Sequence, residues 1–431
     1  MSLAVALQSY LRTRSLSRFA GRRADFLAWQ SARLERWLRN DIHRVEAFRS
    51  FAVSAPSLED IPLMEKSDLM ADFSRYNVRH ITNEQGWRAF EGDRRIGDLI
   101  AGASTGTSGN RGLFVISQSE RFAWLGAILA KALPDFWCHR DRIAVLLPIA
   151  TPLYESANRT RILTLRFFDT SAPLSEHGAA LLAFNPTVLI APPRILRQIA
   201  EMETGLSPRR VFSCAEKLER FDRDIIETAF RVPLREIYMA TEGLLGVTCS
   251  HGRLHLAEDC MHFSFEEKAG GLSLPIISDF SRRTQIMARY RLNDLLRLSS
   301  GGCSCGSPLQ VVDEIVGRED DIFYLGGDDG RLIELMPDIL RNTVVDSDRR
   351  ILDFRLVQIG RNHLMLQLSP TVPFVARERV RNHLVLLLQR HTIARTAIEL
   401  SDLIADPSKK LRRVMRQWCP SDGDRPRQHW S

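Results

Sequence analysis

The chain of 431 residues contains no apolar run near the roughly 18 residues that a membrane-spanning helix requires. Its start, "MSLAVALQSYLRTRSLSRFAGRRADF", lacks the order of a secretory signal: arginines follow the apolar residues and no small-residue cleavage site closes them. The arginines and serines suit an amphipathic targeting peptide, but acids and tryptophans follow quickly, so a cytoplasmic location is expected. Seven cysteines, an odd number, argue against a disulfide framework. There is no dense basic stripe: the net charge of +7 is spread over spots at 12–23, 159–166, 281–291, 349–361 and 409–416, each mixed with acids or apolar residues. Nucleic-acid binding is therefore not expected, whereas an anionic small molecule would benefit from the balance. Internal repeats and low-complexity segments are also missing, apart from the polar end "SDGDRPRQHWS".

What is present is an ordinary globular composition, 44% hydrophobic and 26% charged, in a chain long enough for two or three domains. One stretch is unusual. From Gly102 to Asn110 in "AGASTGTSGNRGLFVIS" every side chain is small or an amide. Such residues are entropically costly to order. The run reads either as a flexible linker or as a loop whose N–H groups and hydroxyls wrap a polyanion. No Gly-Lys-Ser/Thr follows its glycines, which argues against a Walker loop.

Residues 1–50 carry Leu, Phe and Trp at helical spacing, and "SLEDIPLMEKSDLMADF" predicts a loop entering a helix with "SDLM" at its cap. "FVISQSERFAWLGAILAKAL" predicts a strand end and a long helix. "RIAVLLPI", "RILTLRFFD" and "PTVLIAPP" are short β-branched runs typical of buried parallel strands. Helical segments alternate with them, as in α/β layers. "RRVFSCAEKL", "ERFDRDIIETAF" and "LREIYMATEG" repeat strand, helix, strand. Shorter, polar-interrupted strands follow from 251 to 300. Beyond the charged joint "VGREDD", "FRLVQIGRNHLMLQLSP" and "VRNHLVLLLQRHTIA" predict the strand and helix of a small α+β unit.

The segments "STGTSGNRG" (104–112), "YMATEG" (238–243), "YRLNDL" (290–295), "VGREDD" (316–321) and "PSKKLRRV" (407–414) follow the order and rough spacing of adenylate-forming enzymes. Across nearly its whole length the chain resembles that superfamily, most of all its phenylacetate–CoA ligase and coenzyme F390 synthetase-like branch. The resemblance implies an α/β fold with a large N-terminal adenylation domain of layered α/β subdomains, residues 1–318. A small, mobile C-terminal α+β domain, 319–431, would rotate about a hinge at Asp320.

It also implies roles. Ser104, Thr105, Gly106, Thr107, Ser108 and Gly109 would bind the leaving pyrophosphate; the lysine common near the end of this loop is absent, and Asn110 and Arg111 stand there. Glu242 would ligate Mg²⁺, Thr241 would contact the α-phosphate and Tyr238 would lie by adenine. Asp294 would accept the ribose hydroxyls. The family usually has Gly before this Asp; Asn293 replaces it and tolerates a left-handed backbone. Arg318 would reach ribose or phosphate, unless it is a surface arginine in a salt bridge. Lys410, or in the alternative register Lys409, would bridge carboxylate and α-phosphate; with Arg412 and Arg413 beside them, a solvated basic tail is the plainer reading.

Cys249, His255, Cys303 and Cys305 offer three thiolates and an imidazole, a donor set suited to a closed tetrahedral zinc site. His251, Cys260 and His262 are rival ligands, and unrelated cysteines are the bland alternative. Zinc sites of this kind are also expected from the branch resembled.

The implied reaction is ATP-dependent activation of a carboxylic acid, aryl or otherwise compact, to an acyl-adenylate. Thioester formation with CoA or the phosphopantetheine of an acyl carrier protein would follow, the thiol entering near Gly326 and Gly327. The implied cofactors are ATP, Mg²⁺ and structural Zn²⁺, and a homodimer is left open. The alternatives are an adenylyltransferase that stops at AMP transfer and a non-catalytic nucleotide-binding relative.

Overall fold

The computed structural model describes residues 2–17, 22–51, 57–104, 111–148, 163–202, 204–404 and 410–420. Two compact units emerge from the packing: Met1–Leu292 with Leu296–Glu314 and Pro407–Lys410, and Asn293–Leu295 with Ile315–Asp406 and Leu411–Ser431.

The larger unit is built on a mixed sheet of twelve strands among the described residues. Its parallel half runs Leu163–Asp169, Asp141–Leu147, Val188–Ala191, Arg210–Cys214, Leu234–Ala240. These are the β-branched runs read from the sequence, and alternation within them divides two cores. Ile143, Val145, Phe212 and Ile237 pack against Ala127 and Ala130 of the helix Gln118–Ala132, Leu133 at its C-cap and Tyr10 of Ser2–Leu16. Ala144, Leu146, Leu189 and Val211 face the other way, onto Leu181, Leu196, Ile199 and Ile226 of the helices Leu174–Phe184, Pro193–Glu201 and Arg220–Phe230. The result is helix, sheet, helix, the layering expected of an α/β chain.

At Leu234–Ala240 the sheet changes character. Its next neighbour, Gly243–Thr248, returns antiparallel through a two-residue turn, Thr241–Glu242. The antiparallel half continues through Leu254–Leu256 and Val311–Arg318 to Asp294–Leu298, Leu272–Ser278 and His262–Lys268. A separate sheet, Arg95–Ile96, Leu99–Ala103, Leu113–Ser117, carries the Gly/Ser/Thr loop as the connection of its second hairpin. The helix over 66–71 starts from Glu65, whose capping box with Asp68 replaces the serine cap predicted there.

In the smaller unit the segment read as one strand is a hairpin, Phe354–Gly360 with His363–Leu368. It is flanked by Ala397–Asp402 and Val414–Arg416, both parallel to their neighbours. The helices Pro337–Val345 and Phe374–Arg390 close one core through Leu340, Val344, Ala376, Val380 and Leu384 against Phe354, Leu356, Leu364 and Leu366.

Candidate active site

Parallel strands release their chains on one edge, and ligands of α/β sheets sit beyond that carboxyl edge. Here Arg210–Cys214 and Leu234–Ala240 lie side by side and parallel. The first leaves the sheet through Ala215, whose φ of 68° is left-handed and unusual for a side chain with a Cβ. The Glu216 N–H donates to the Cys214 carbonyl over 2.8 Å, tightening that exit. The second strand carries Tyr238, buried, and ends in Thr241 and Glu242, both half-buried. Gly243, at φ 145°, completes the turn in a conformation that favours glycine.

Glu242 has an anchor that sequence reading passed over. The Tyr290 hydroxyl donates to Glu242 Oε1 over 2.9 Å. Tyr290 is 2% exposed, and burial, with the Glu242 carboxylate beside it, pushes its phenol far up. It therefore remains a donor. Tyr290 lies within a motif quoted for Asp294, but its partner is 48 residues away, and no local pattern announces that pairing.

Lys410 packs with the larger unit. Its charge reaches Cys214 at the end of Arg210–Cys214: burial pushes that thiol up to about 12, and the Lys410 ammonium opposes the shift. Lys409 lies outside the described residues, as do Thr105, Gly106, Thr107, Ser108, Gly109 and Asn110. The described flanks of that loop are firmly closed. Ser104 N–H donates to the Gly112 carbonyl and the Gly112 N–H to Ser104 Oγ, both over 2.8 Å. The Ser104 hydroxyl oxygen thus holds the base of the loop. Arg111, at the far flank of the loop, lies 5.2 Å over Trp87 and 5.3 Å over Phe90, a cation–π position.

The remaining nucleotide-site candidates belong to the smaller unit. Arg318 Nε stands 3.6 Å from Asp294 Oδ1, so the salt-bridge reading of Arg318 describes it. Asn293 does not take the left-handed backbone expected of it; it is absent from the positive-φ residues. Its side chain instead accepts the Asp320 N–H over 3.2 Å and donates to the Asp320 carboxylate, while its carbonyl accepts the Glu319 N–H over 2.8 Å. Nor are the arginines near Lys410 a solvated tail. Arg412 pairs with buried Asp321, and Arg413, buried, donates to the Leu352 carbonyl over 3.2 Å. At Gly326 and Gly327 the space of a Cβ is already taken, by Asn362 and Arg361 at the first and Ile333 at the second. Those glycines accommodate the protein's own side chains.

At the far end of Gly243–Thr248 from Glu242 lies a second cluster. Ligand atoms of Cys249, His255, Cys303 and Cys305 fall within 4.8 Å of one another. Cys249 and Cys303 Sγ are 3.8 Å apart, too far for a disulfide, and all are free thiols. Cys305 Sγ is 3.5 Å from His255 Nε2, and His255 Nδ1 is 3.1 Å from the Leu309 carbonyl. A proton on Nδ1 leaves Nε2 as the donor facing the sulfurs. Burial lowers the His255 pKa and favours that neutral ring. Of the rivals, Cys260 is a core thiol that burial pushes up to about 12 and His262 lies against Gln30, while His251 borders the cluster, its N–H donating to Cys249 Sγ over 3.3 Å and its ring turned to Ser304.

No known family profile matches the sequence, and no curated protein matches it. Solved structures do. A 2-hydroxyisobutyryl-CoA ligase in the postadenylation state, in complex with R3-HIB-AMP, superposes with TM-score 0.69 at 17% identity, over 91% of this chain and 90% of that one. A structure from work on fatty acyl-adenylate ligases of E. coli and L. pneumophila gives TM-score 0.53 at 15% identity, covering 73% and 68%. An ATP-bound RpMatB-BxBclM chimera gives 0.52 at 15%, covering 73% and 66%. The chain has the fold of adenylate-forming ligases. No helix among the described residues is long and apolar enough to cross a membrane.

Proposed function

We propose that this chain activates a carboxylic acid with ATP, forming an acyl-adenylate and releasing pyrophosphate, and then passes the acyl group to a thiol. The observations that support the reading are the Thr241–Glu242 turn at the end of one strand and, at the end of its parallel neighbour, Cys214 within the field of the Lys410 ammonium. Adenylation gathers negative charge at the α-phosphate, and a preorganised cation and hydroxyl there stabilise it. Lys410 serves as that cation, touching both carboxylate and phosphate, and Thr241 as the hydroxyl. Tyr238 takes the adenine side. Asp294 and Arg318 take the ribose, the arginine leaving its present partner or sharing it. The pyrophosphate lies against residues 104–109.

Glu242 fits a hard divalent cation. One carboxylate oxygen is held by Tyr290, and the other has no protein partner among the described residues. Magnesium binds through one or two carboxylates plus substrate phosphates, and when bound it neutralises charge on the departing pyrophosphate.

The sulfur cluster fits zinc. With Zn–S bonds of about 2.3 Å and Zn–N of about 2.1 Å at tetrahedral angles, paired sulfurs stand ~3.8 Å apart and sulfur to nitrogen ~3.6 Å. Cys249–Cys303 at 3.8 Å and Cys305–His255 at 3.5 Å reproduce both spacings. Four protein ligands leave no open position, so the role is structural.

The acceptor thiol is CoA or a carrier protein's phosphopantetheine, and the acid is aryl or otherwise compact, as the branch resembled suggests. The small domain, 319–431, turns about Asp320 between the two steps. The 2-hydroxyisobutyryl-CoA ligase likeness supports CoA and a compact acid. A carboxylate library screened for ATP–pyrophosphate exchange tests the reading, and identifies the acid by the exchange it stimulates. Exchange that continues to net pyrophosphate release without a thiol assigns AMP transfer instead. Arg111, drawn over Trp87 and Phe90, favours a second reading, a nucleotide-binding relative without catalysis. ATP binding with no exchange for any acid would establish it.

A further inference from the structure

Tyr290 is an unusual strut. Its strand, Tyr290–Arg291, is paired to Leu272–Ser278, with Tyr290 opposite Ile277. On its other side Met64 bridges the same residues: Met64 N–H donates to the Arg289 carbonyl over 3.0 Å, and Arg291 N–H to the Met64 carbonyl over 2.8 Å. The Arg289 guanidinium donates to the carbonyls of Glu59 and Ile61, over 3.1 and 2.6 Å. A backbone held from both sides, with a ring 2% exposed, gives the phenol oxygen a fixed position.

Glu242, by contrast, sits in the two-residue turn of its hairpin, beyond the last paired residues Ala240 and Gly243. A free carboxylate there rotates and presents either oxygen, or both, to a cation. The single hydrogen bond at 2.9 Å removes that freedom, because Oε1 is engaged and only Oε2 is left without a partner among the described residues. We infer that Tyr290 is a positioning residue that fixes Glu242 as a one-oxygen ligand for the divalent cation accompanying ATP. The inference rests on the proposed role of Glu242. A metal that keeps most of its waters and substrate phosphates needs one oriented oxygen, which is what this pairing supplies.

The bond joins a neutral donor to a charge, and such bonds are the stronger kind. Tyr290→Phe should therefore weaken Mn²⁺ binding in the presence of AMP-PNP by about tenfold, read by electron paramagnetic resonance of free Mn²⁺. The thermal midpoint should stay within a few degrees, since the ring is retained. Exchange activity should lose apparent Mg²⁺ affinity and recover at saturating Mg²⁺, a split that a merely structural role does not produce. Tyr290→Met, whose flexible side chain refills the space, repeats the deletion should Phe fail to fold. In a Glu242→Gln background, Tyr290→Phe should add less than twofold. A folded Phe or Met variant with unchanged Mn²⁺ affinity overturns the inference. Unchanged Mn²⁺ affinity in Glu242→Gln alone overturns the role of Glu242 itself, a separate outcome.

Discussion

Serine replacement of both Cys303 and Cys305 removes two of the four soft donors while keeping side-chain volume. Two of the six spacings, 3.8 and 3.5 Å, match a tetrahedral ion, and all six lie within 4.8 Å, so the donors need to close by no more than about 1 Å to bind one. Protein purified without chelators should carry close to one zinc per chain, and the double variant essentially none. A site occupied at 1,000 times its dissociation constant stabilises the folded state by about 4 kcal/mol. For a unit of roughly 300 residues, unfolding entropy near the midpoint is about 0.6 kcal/mol/K, which converts that loss into a fall of about 6 °C. Elemental analysis and thermal melts with and without a strong chelator measure both quantities. Chelation of the wild type should reproduce the variant's midpoint, and should not shift the variant further. Cys260→Ser should keep its zinc, because that thiol belongs to a core face. Metal-free wild-type protein with reduced thiols would refute the site, and zinc retained by the double variant would refute this ligand set.

Three further outcomes test the rest. Glu242→Gln keeps shape but loses the anionic ligand, so exchange should fall at least a hundredfold with folding intact; a change within about threefold, under 1 kcal/mol of barrier, contradicts the metal role. Lys410→Ala should abolish adenylate formation yet leave transfer from a preformed acyl-adenylate largely intact, and loss of both half-reactions together contradicts its assignment. Asp141 starts the strand Asp141–Leu147; burial raises its pKa, but bonds from Arg209 and Thr187 outweigh that and hold it below the usual carboxylate range. Its stabilisation is therefore present above about pH 4 and lost as pH falls further. Asp141→Asn should cost about 3 kcal/mol near neutral pH, and the gap to wild type should close in acid; a gap constant with pH contradicts the pairing.

Much of the architecture is written in short-range pattern. Buried parallel strands need apolar residues on both faces, so Asp141–Leu147 and Val188–Ala191 declare themselves as continuous runs. The cysteine cluster is legible for a different reason: thiolate and imidazole donors are scarce, so four of them near one another in sequence pairs narrow the choices. What stayed hidden depends on partners distant in the chain. In the sequence Asn293 reads as a backbone substitute for glycine, whereas its side chain holds Asp320. Arg412 and Arg413 read locally as a solvated basic run, but Asp321 and the Leu352 carbonyl are their partners. Tyr290 carried no local mark at all, because a buried tyrosine in a strand is ordinary until the carboxylate it meets is known.

The sheet gives the proposed structural ion a clear task. Gly243–Thr248 spans about 20 Å at the usual rise per strand residue, with the Thr241–Glu242 turn at one end and Cys249 just past the other. Its neighbour Leu254–Leu256 carries His255, paired to both Val247 and Val311. The loop between Asp294–Leu298 and Val311–Arg318 then brings Cys303 and Cys305. An ion shared by these ligands would pin the register of successive antiparallel strands from the end opposite Glu242. Antiparallel pairs are otherwise fixed by side-chain alternation and turn chemistry, and Cys249 and Cys303 lie in turns rich in glycine and serine that specify little. A one-residue slip would invert every side chain on Gly243–Thr248. It would also carry Glu242 away from Tyr290, which is anchored independently on Leu272–Ser278 and Met64. Loss of the ion should therefore weaken catalysis by disordering the pairing of Glu242 with Tyr290, so the zinc-free variant should share the Mg²⁺ dependence of Tyr290→Phe.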